Sequence, residues 1–439
     1  MHTRWMRKIA LVVPFFAVLV SCGDTARLPE AASMGGQPQL PPPAKSLLPT
    51  VHIAPAQGWP AGAQPQAAAG LRVTALAAGL EHPRWLYVLP NGDVLVAESN
   101  APKPPPGEEE KGIRAFVMKQ VMKRAGAGVP SPDRILLLRD ADGDGQAELR
   151  SVFVANLHSP FGMVLVGNDL YVANADAVVR IPYISGQTQA SAAPVTVTDL
   201  PAGRNHHWTK GLVASPDGRK LYVSVGSNSN VAEAGMEIEE GRAAIWEIDI
   251  ATGAKRLYAG GMRNPVGMAF EPQTRTLWAV ANERDELGSD LVPDYLTSVR
   301  EGAFYGWPWS YWGAHVDGRV QPPRPDMVAR AVVPDYALGN HVAPLGLAFG
   351  DGRMQPVGSG AFVGEHGSWN RKPRSGYKVV FVPFANGRPS GAPQDVLTGF
   401  VSPEGKAWGR PVGVAVDRSG SLLVADDVGN TVWRVAPVR

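Results

Sequence analysis

The feature that most constrains this chain is a short motif that recurs six times. With the glycine of Lys210-Gly211-Leu212 as an anchor, its siblings are Ser159-Pro160-Phe161-Gly162, Asn264-Pro265-Val266-Gly267, Ala343-Pro344-Leu345-Gly346 and Arg410-Pro411-Val412-Gly413. His82-Pro83-Arg84-Trp85 is a sixth copy in which Trp85 replaces the glycine. A few strand-like residues follow each copy, usually then a turn, and then a second apolar run: GDVLVAE, NDLYVAN, RKLYVSV, RTLWAVA, GAFVGEH and GSLLVAD. These runs are β-branched and of strand length, without a helical stripe, so each copy reads as one β-hairpin.

A hairpin accounts for only part of the distance from one copy to the next. The remainder must hold outer strands and loops, giving six units of about four strands. That pattern predicts an all-β chain folded as a six-bladed β-propeller. A sandwich or barrel would also give many short strands, but neither explains a repeated hairpin with large insertions between copies.

Three regions follow from composition. Residues 1–21 read as a lipoprotein signal peptide, with basic Arg4, Arg7 and Lys8, an apolar stretch from Ile9 to Val20, and Leu19-Val20-Ser21 before Cys22. Cys22 is the only cysteine, which suits an acylated mature N-terminus and a disulfide-free chain. Gly23 follows it, where an Asp would favour retention at the inner membrane, so the expected place is the bacterial cell envelope, on the periplasmic face of the outer membrane. Residues 22–70 are rich in Pro, Ala and Gln and read as a flexible tether.

The propeller then spans 71–439, with insertions at about 101–130 and 285–342. The first insertion carries a possible short amphipathic helix from Gly112 to Arg124. Lys111, Arg114, Lys119, Lys123 and Arg124 make it the chain's one basic patch, either a solvated excursion or a contact for a partner or electron acceptor. Net charge is only +2, so no nucleic-acid footprint is indicated.

In a propeller the first residues of every inner strand meet at one face. The pairs opening the six copies are Glu81-His82, His158-Ser159, His207-Trp208, Arg263-Asn264, Val342-Ala343 and Gly409-Arg410. So many charged and polar groups at one channel mouth are costly to desolvate unless they bind something. An anion fits: Arg263 and Arg410 can each fork onto carboxylates, Asn264 can donate and accept, and Trp208, Trp85 or Trp307 could cover a planar ring. A histidine beside such a group can act as a base near neutral pH. The other reading of the ring is that these residues satisfy one another and the strand ends.

The segments NHHWTKGLVASPDG, GGMRNPVGMAF, NERDELGSDLVPDYL, GAFYGWPWSYWG, FVGEHGSWNR and GRPVGVAVD together resemble the sorbosone dehydrogenase-like group of the soluble quinoprotein glucose and aldose sugar dehydrogenases. The resemblance covers roughly residues 71–439. It implies a six-bladed propeller that holds pyrroloquinoline quinone (PQQ) with calcium over the axial channel and oxidises a sugar or aldehyde. By that resemblance His207 is the base that removes the hydroxyl proton, and Arg263 stabilises charge on the quinone oxygens. Asn264, Asn282 and Arg410 contact the cofactor, and Glu283 stands at the calcium.

The chain departs from the family pattern at the rim. His206 stands where the glucose dehydrogenases have an acidic partner to the base, Glu283-Arg284 replaces a Gly-Pro that gives calcium carbonyls, and Val412 stands where a second arginine might. Arg371 is the nearest counterpart of a cofactor-contacting lysine. Separately, Asp140, Asp142 and Asp144 with Glu148 imitate the start of a calcium loop, although a plain acidic turn fits equally well.

Two other functions compete with a quinoprotein dehydrogenase. One is a non-catalytic envelope propeller binding glycan or protein. The other is a metal-dependent lactonase-type hydrolase, which the ring disfavours because it offers few carboxylates. The sugar and the electron acceptor, a quinone or a cytochrome, stay open at this point.

Overall fold

The computed structural model describes residues 23–44, 49–107 and 112–438. The signal peptide and Cys22 lie outside them, as does Lys111.

Six antiparallel sheets stand in a ring, each laying down its first three strands from the inside outward in chain order. The inner strands are Pro83–Val88, Met163–Val166, Leu212–Ala214, Asn264–Phe270, Pro344–Asp351 and Pro411–Val416. The second strands are Val94–Glu98, Asp169–Ala173, Lys220–Val225, Leu277–Asn282, Ser359–Glu365 and Leu422–Asp426, matching the six apolar runs of the repeat. The all-β propeller read from the sequence is the fold observed.

The anchor glycines have a steric cause. A Cβ on Gly162 would lie 2.3 Å from the backbone of Leu212, one on Gly211 2.0 Å from Val266, and one on Gly267 2.6 Å from Leu345. One on Gly346 would lie 2.3 Å from Val412, and one on Gly413 2.8 Å from Arg84. Each glycine thus lets the next blade's inner strand approach in backbone contact, and the contacts run round the ring in order. In the sixth copy Trp85 instead packs on Phe161 of the second blade, with ring centroids 4.7 Å apart.

Strand Leu71–Ala78 closes the circle. It pairs with the last strand, Thr431–Pro437, so the sixth blade is built from both ends of the propeller.

Two expectations about domain limits change. The stretch read as a tether is docked on the propeller: Met34–Gly35 adds a strand to blade four, and Gln66–Ala67 adds one to blade five. Between them Trp59 donates to Asp426 at 2.7 Å and packs on Phe400, Trp408 and Trp433. Composition misled because edge-strand addition supplies backbone partners that need no apolar pattern in the added segment. The second insertion is also smaller than read, since Pro293–Ser298 and Tyr336–Asn340 are strands of blade four. The first insertion lies between the second and third strands of blade one and holds a helix, Ile113–Met122.

Candidate active site

A cavity of about 990 Å³ opens at the end of the ring where inner strands begin and second strands finish. Of the six opening pairs, His207, Trp208, Arg263, Asn264 and Ala343 line it, together with Asn282 and Glu283.

His207 is oriented without an acidic neighbour. Its Nδ1 lies 2.8 Å from the carbonyl oxygen of Ser227 and 3.1 Å from the Ser227 hydroxyl. A carbonyl only accepts, so Nδ1 carries the hydrogen and Nε2 is left with a bare lone pair. Ser227 in turn donates to the carbonyl of Ser229 at 2.7 Å, which leaves its oxygen free to accept. The buried Glu239 holds this turn by accepting from the backbone N–H of Asn228 at 2.7 Å and from the Ser229 hydroxyl. Burial, and then the positive charge of Arg263, holds the His207 imidazole well below its ordinary pKa, so it is neutral at neutral pH. Gly226 makes the arrangement possible: a Cβ there would lie 2.5 Å from His207 and 2.3 Å from Asn264.

His206 is exposed, lines the same cavity, and meets His207 edge-to-face at 4.8 Å. Its position is at the rim rather than beside Nδ1 of the base. The backbone of Ser227 takes the place that the resemblance gave to an acid.

Arg263 is pinned from three sides. It donates to the carbonyl of Glu283 at 2.7 Å, to the carbonyl of Asn230 at 3.2 Å, and to the carboxylate of Asp285 at 2.8 Å. Asp285 also accepts from Asn370 at 2.7 Å. The guanidinium is 5% exposed, so its charge is delivered to the cavity from a fixed position with little water to screen it. Asn264 presents a buried Oδ1 with no hydrogen-bond partner among the described residues, whereas Asn282 donates to the carbonyl of Pro344 at 2.8 Å.

The opposite wall holds a cationic cluster that the repeat alignment only half revealed. Asp427 is fully buried and takes Arg84, Arg410, His366 and His82 around one carboxylate. Arg84 and His366 face the cavity, and the Arg84 guanidinium lies over the Trp208 ring at 5.6 Å. Two guanidinium groups against one carboxylate leave an excess of positive charge; among the described residues the Nε of Arg84 has no acceptor, while that of Arg410 lies 3.4 Å from Asp427 Oδ1. Burial pushes the His366 pKa down to about 4, while Arg410 and His366 hold Asp427 well below the usual carboxylate range despite its burial.

Other residues from the sequence reading fall elsewhere. Arg410 does not line the cavity: it stands behind Arg84, with the turn at Gly126 against it. Arg371 points away, donating to the carbonyls of Ser289 at 3.0 Å and Pro373 at 2.9 Å, and so serves the loop that carries it. His158 is paired with Asp176 at 2.7 Å, and Glu81 and His82 line a second, smaller cavity of about 500 Å³. Trp307 is buried and donates to the carbonyl of Asn230, and Trp85 is in the core.

Of the candidate metal ligands, Glu283 is buried with one oxygen on Arg284 at 3.0 Å and the other, Oε1, without a hydrogen-bond partner among the described residues. Beside it Asp294 accepts from the N–H groups of Glu283 and Ala343, and burial raises its pKa to about 8. Asp140, Asp142, Asp144 and Glu148 do converge, with oxygens within 4.8 Å of one another, but on an exposed turn between the third and fourth strands of blade one. That turn lines neither cavity.

Residues 135–295 and 327–437 match the TrAA12-like family model. The chain belongs to the TrAA12-like family. This TrAA12-like chain superposes on the pyranose dehydrogenase PQQ domain of Coprinopsis cinerea, in its holo form, with a TM-score of 0.68 at 21% identity, covering 88% of this chain and 100% of that one. A family AA12 structure from Trichoderma reesei gives a TM-score of 0.69 at 21% identity over 90% of this chain and 100% of that one. In sequence, the TrAA12-like chain is 31% identical over 94 residues to the aldose sugar dehydrogenase YliI of Escherichia coli, covering 21% of this chain and 24% of that protein. Over 55 residues it is 49% identical to a pyrroloquinoline quinone-dependent pyranose dehydrogenase of Coprinopsis cinerea, covering 12% of this chain and 7% of that protein. An uncharacterized protein of Borreliella burgdorferi is 27% identical over 292 residues, 64% of this chain and 76% of that one.

Proposed function

We propose that the chain is an exported quinoprotein oxidoreductase that oxidises an aldose or related sugar aldehyde, with PQQ as hydride acceptor. The observation that carries this reading is the neutral His207, its Nε2 lone pair uncommitted, set opposite a fixed excess of positive charge across one cavity. A multiply carboxylated planar quinone suits that wall: Arg84 has an uncommitted Nε, Asn264 an uncommitted Oδ1, and Trp208 and Trp369 offer aromatic faces.

Bound there, the quinone supplies a two-electron hydride acceptor. His207 Nε2 takes the proton from the substrate hydroxyl, and the Ser227 carbonyl stabilises the imidazolium that forms through Nδ1–H. Arg263 stabilises negative charge developing at the acceptor end of the cavity, and being fixed beforehand it needs no reorganisation. In this reading Glu283 would offer Oε1 to a calcium ion, and the acidic turn at Asp140 would be a separate structural calcium site. A sorbosone-type aldehyde is the substrate suggested by the sequence resemblance. Cys22 as lipid anchor on the periplasmic face of the envelope completes the proposal.

Adding PQQ and calcium to the purified apo-protein and assaying dye reduction with a panel of aldoses and sugar aldehydes tests the reading. Quinone binding seen by absorbance, with reduction by at least one substrate, is expected. No binding and no reduction would leave the propeller as a glycan or protein binder. Loss of acyl labelling in Cys22→Ser, with release of the protein from membranes, checks the anchor.

A further inference from the structure

The insertion of blade one is not needed to complete the blade, whose third strand, Arg134–Arg139, pairs directly with Val94–Glu98. Its helix nevertheless takes a definite position, because Met118 and Met122 line the large cavity. At about 100° per residue these two share one face, being four apart. Phe116 and Lys123 fall about 140° and about 120° round from that face, and Lys119 flanks it. Phe116 is 64% exposed and its neighbour Val117 46%, while Lys119, Lys123 and Arg124 are all exposed. No ion pair among the described residues neutralises these three cations.

The rest of the mouth carries both signs, for Arg204 and Arg319 line it as well. Glu233 and Glu286 line the cavity, and Glu237 and Glu240 are exposed close by in the chain. On the insertion helix, by contrast, exposed cations stand beside exposed apolar groups. An acidic macromolecule approaching it is drawn to the cations of the helix.

We propose that the outward stripe Phe116–Lys119–Lys123, with Val117 and Arg124 beside it, is the docking surface for an acidic one-electron carrier protein. This rests on the dehydrogenase reading above. Conversion of a hydroxyl to a carbonyl yields two electrons and two protons, so two successive encounters with a one-electron carrier return the site to its oxidised state, and the protons leave to water. A carrier on the outer stripe is separated from the cavity by a single helix, about 10 Å across. An anionic membrane is a poorer match, because a ten-residue helix with two exposed apolar side chains offers little surface to insert.

The test is stopped-flow reoxidation of the substrate-reduced, PQQ-loaded full chain by an acidic c-type cytochrome, a basic c-type cytochrome and a small dye. In the wild type the acidic cytochrome should react faster, with a rate constant that falls steeply between about 20 and about 200 mM salt. The triple variant Lys119→Glu, Lys123→Glu, Arg124→Glu should lower that rate at least about tenfold and favour the basic cytochrome, while dye turnover stays unchanged. Phe116→Ser should slow the acidic cytochrome with the salt dependence kept. Cytochrome rates unchanged in both variants, or a wild-type preference for the basic cytochrome, would overturn the proposal. So would binding to phosphatidylglycerol vesicles without binding to the acidic cytochrome. Calorimetric titration of the apo-protein with the acidic cytochrome separates the two readings: binding that the triple variant abolishes supports the docking surface even if no dye is ever reduced.

Discussion

At the scale of single residues, chemistry here is set by which atoms are already committed. His207 has one nitrogen engaged by a backbone carbonyl and one open, and its charge state follows from burial. His207→Ala should cut kcat by roughly 10²–10⁴-fold while quinone binding, followed by absorbance titration, is kept. Because the imidazole pKa is held well below 6.5, kcat/KM should stay level as pH is lowered through 6.5 and fall only in more acid solution. A fall centred at 6.5 would remove His207 as the base. His366 offers a test in stability. Its folded pKa of about 4 lies below the unfolded value of 6.5, so only the unfolded chain takes up a proton between these limits. That penalty is absent above pH 6.5 and grows as pH falls, by about 1.4 kcal/mol per unit. Denaturant titrations at pH 7 and 5 should therefore show a smaller acid loss in His366→Gln than in the wild type.

At the scale of strands and loops, the repeat disclosed half of the site. Aligning the starts of the inner strands brought out His207, Arg263 and Asn264, all of which meet in the cavity. The second strand of each hairpin runs back to the same face, and its end was not aligned. Ser227, Glu283, His366 and Asp427 all stand one or two residues beyond such ends. Arg84 lies within the copy at His82 but two residues past that histidine, outside the opening pairs. Arg371 was misplaced because its loop has no counterpart in the repeat. The docked segment before residue 71 was illegible for a different reason: its partners lie about three hundred residues away, and the pairing uses backbone atoms alone. Trp59 is its anchor, and Trp59→Ala should lower stability by roughly 2–4 kcal/mol, through lost ring contacts and a missing donor to the buried Asp426. Urea unfolding monitored by circular dichroism would show this; an unchanged midpoint would mean that the segment is not held through Trp59.

At the scale of the whole molecule, the ring is tuned by glycines that let six inner strands touch. Gly211→Ala would put a methyl 2.0 Å from the carbonyl oxygen of Val266. Since that neighbour is backbone in the next blade, blades three and four must part, and His207 and Arg263 separate with them. The variant should melt several degrees lower by calorimetry and lose activity beyond what its stability explains. A Tm within one degree or so of the wild type would refute the close packing.

The way the sixth blade is assembled sets the order in which the molecule can be made. Thr431 pairs with Ala78, so the contact that completes the circle joins residues synthesised almost a whole chain apart. As the chain folds, blades one to five can form from segments already at hand, but strand Leu71–Ala78 must wait with an open edge until Thr431–Pro437 arrives. Nearly everything that binds and reacts is then already present, in an arc with a gap beside Asp427.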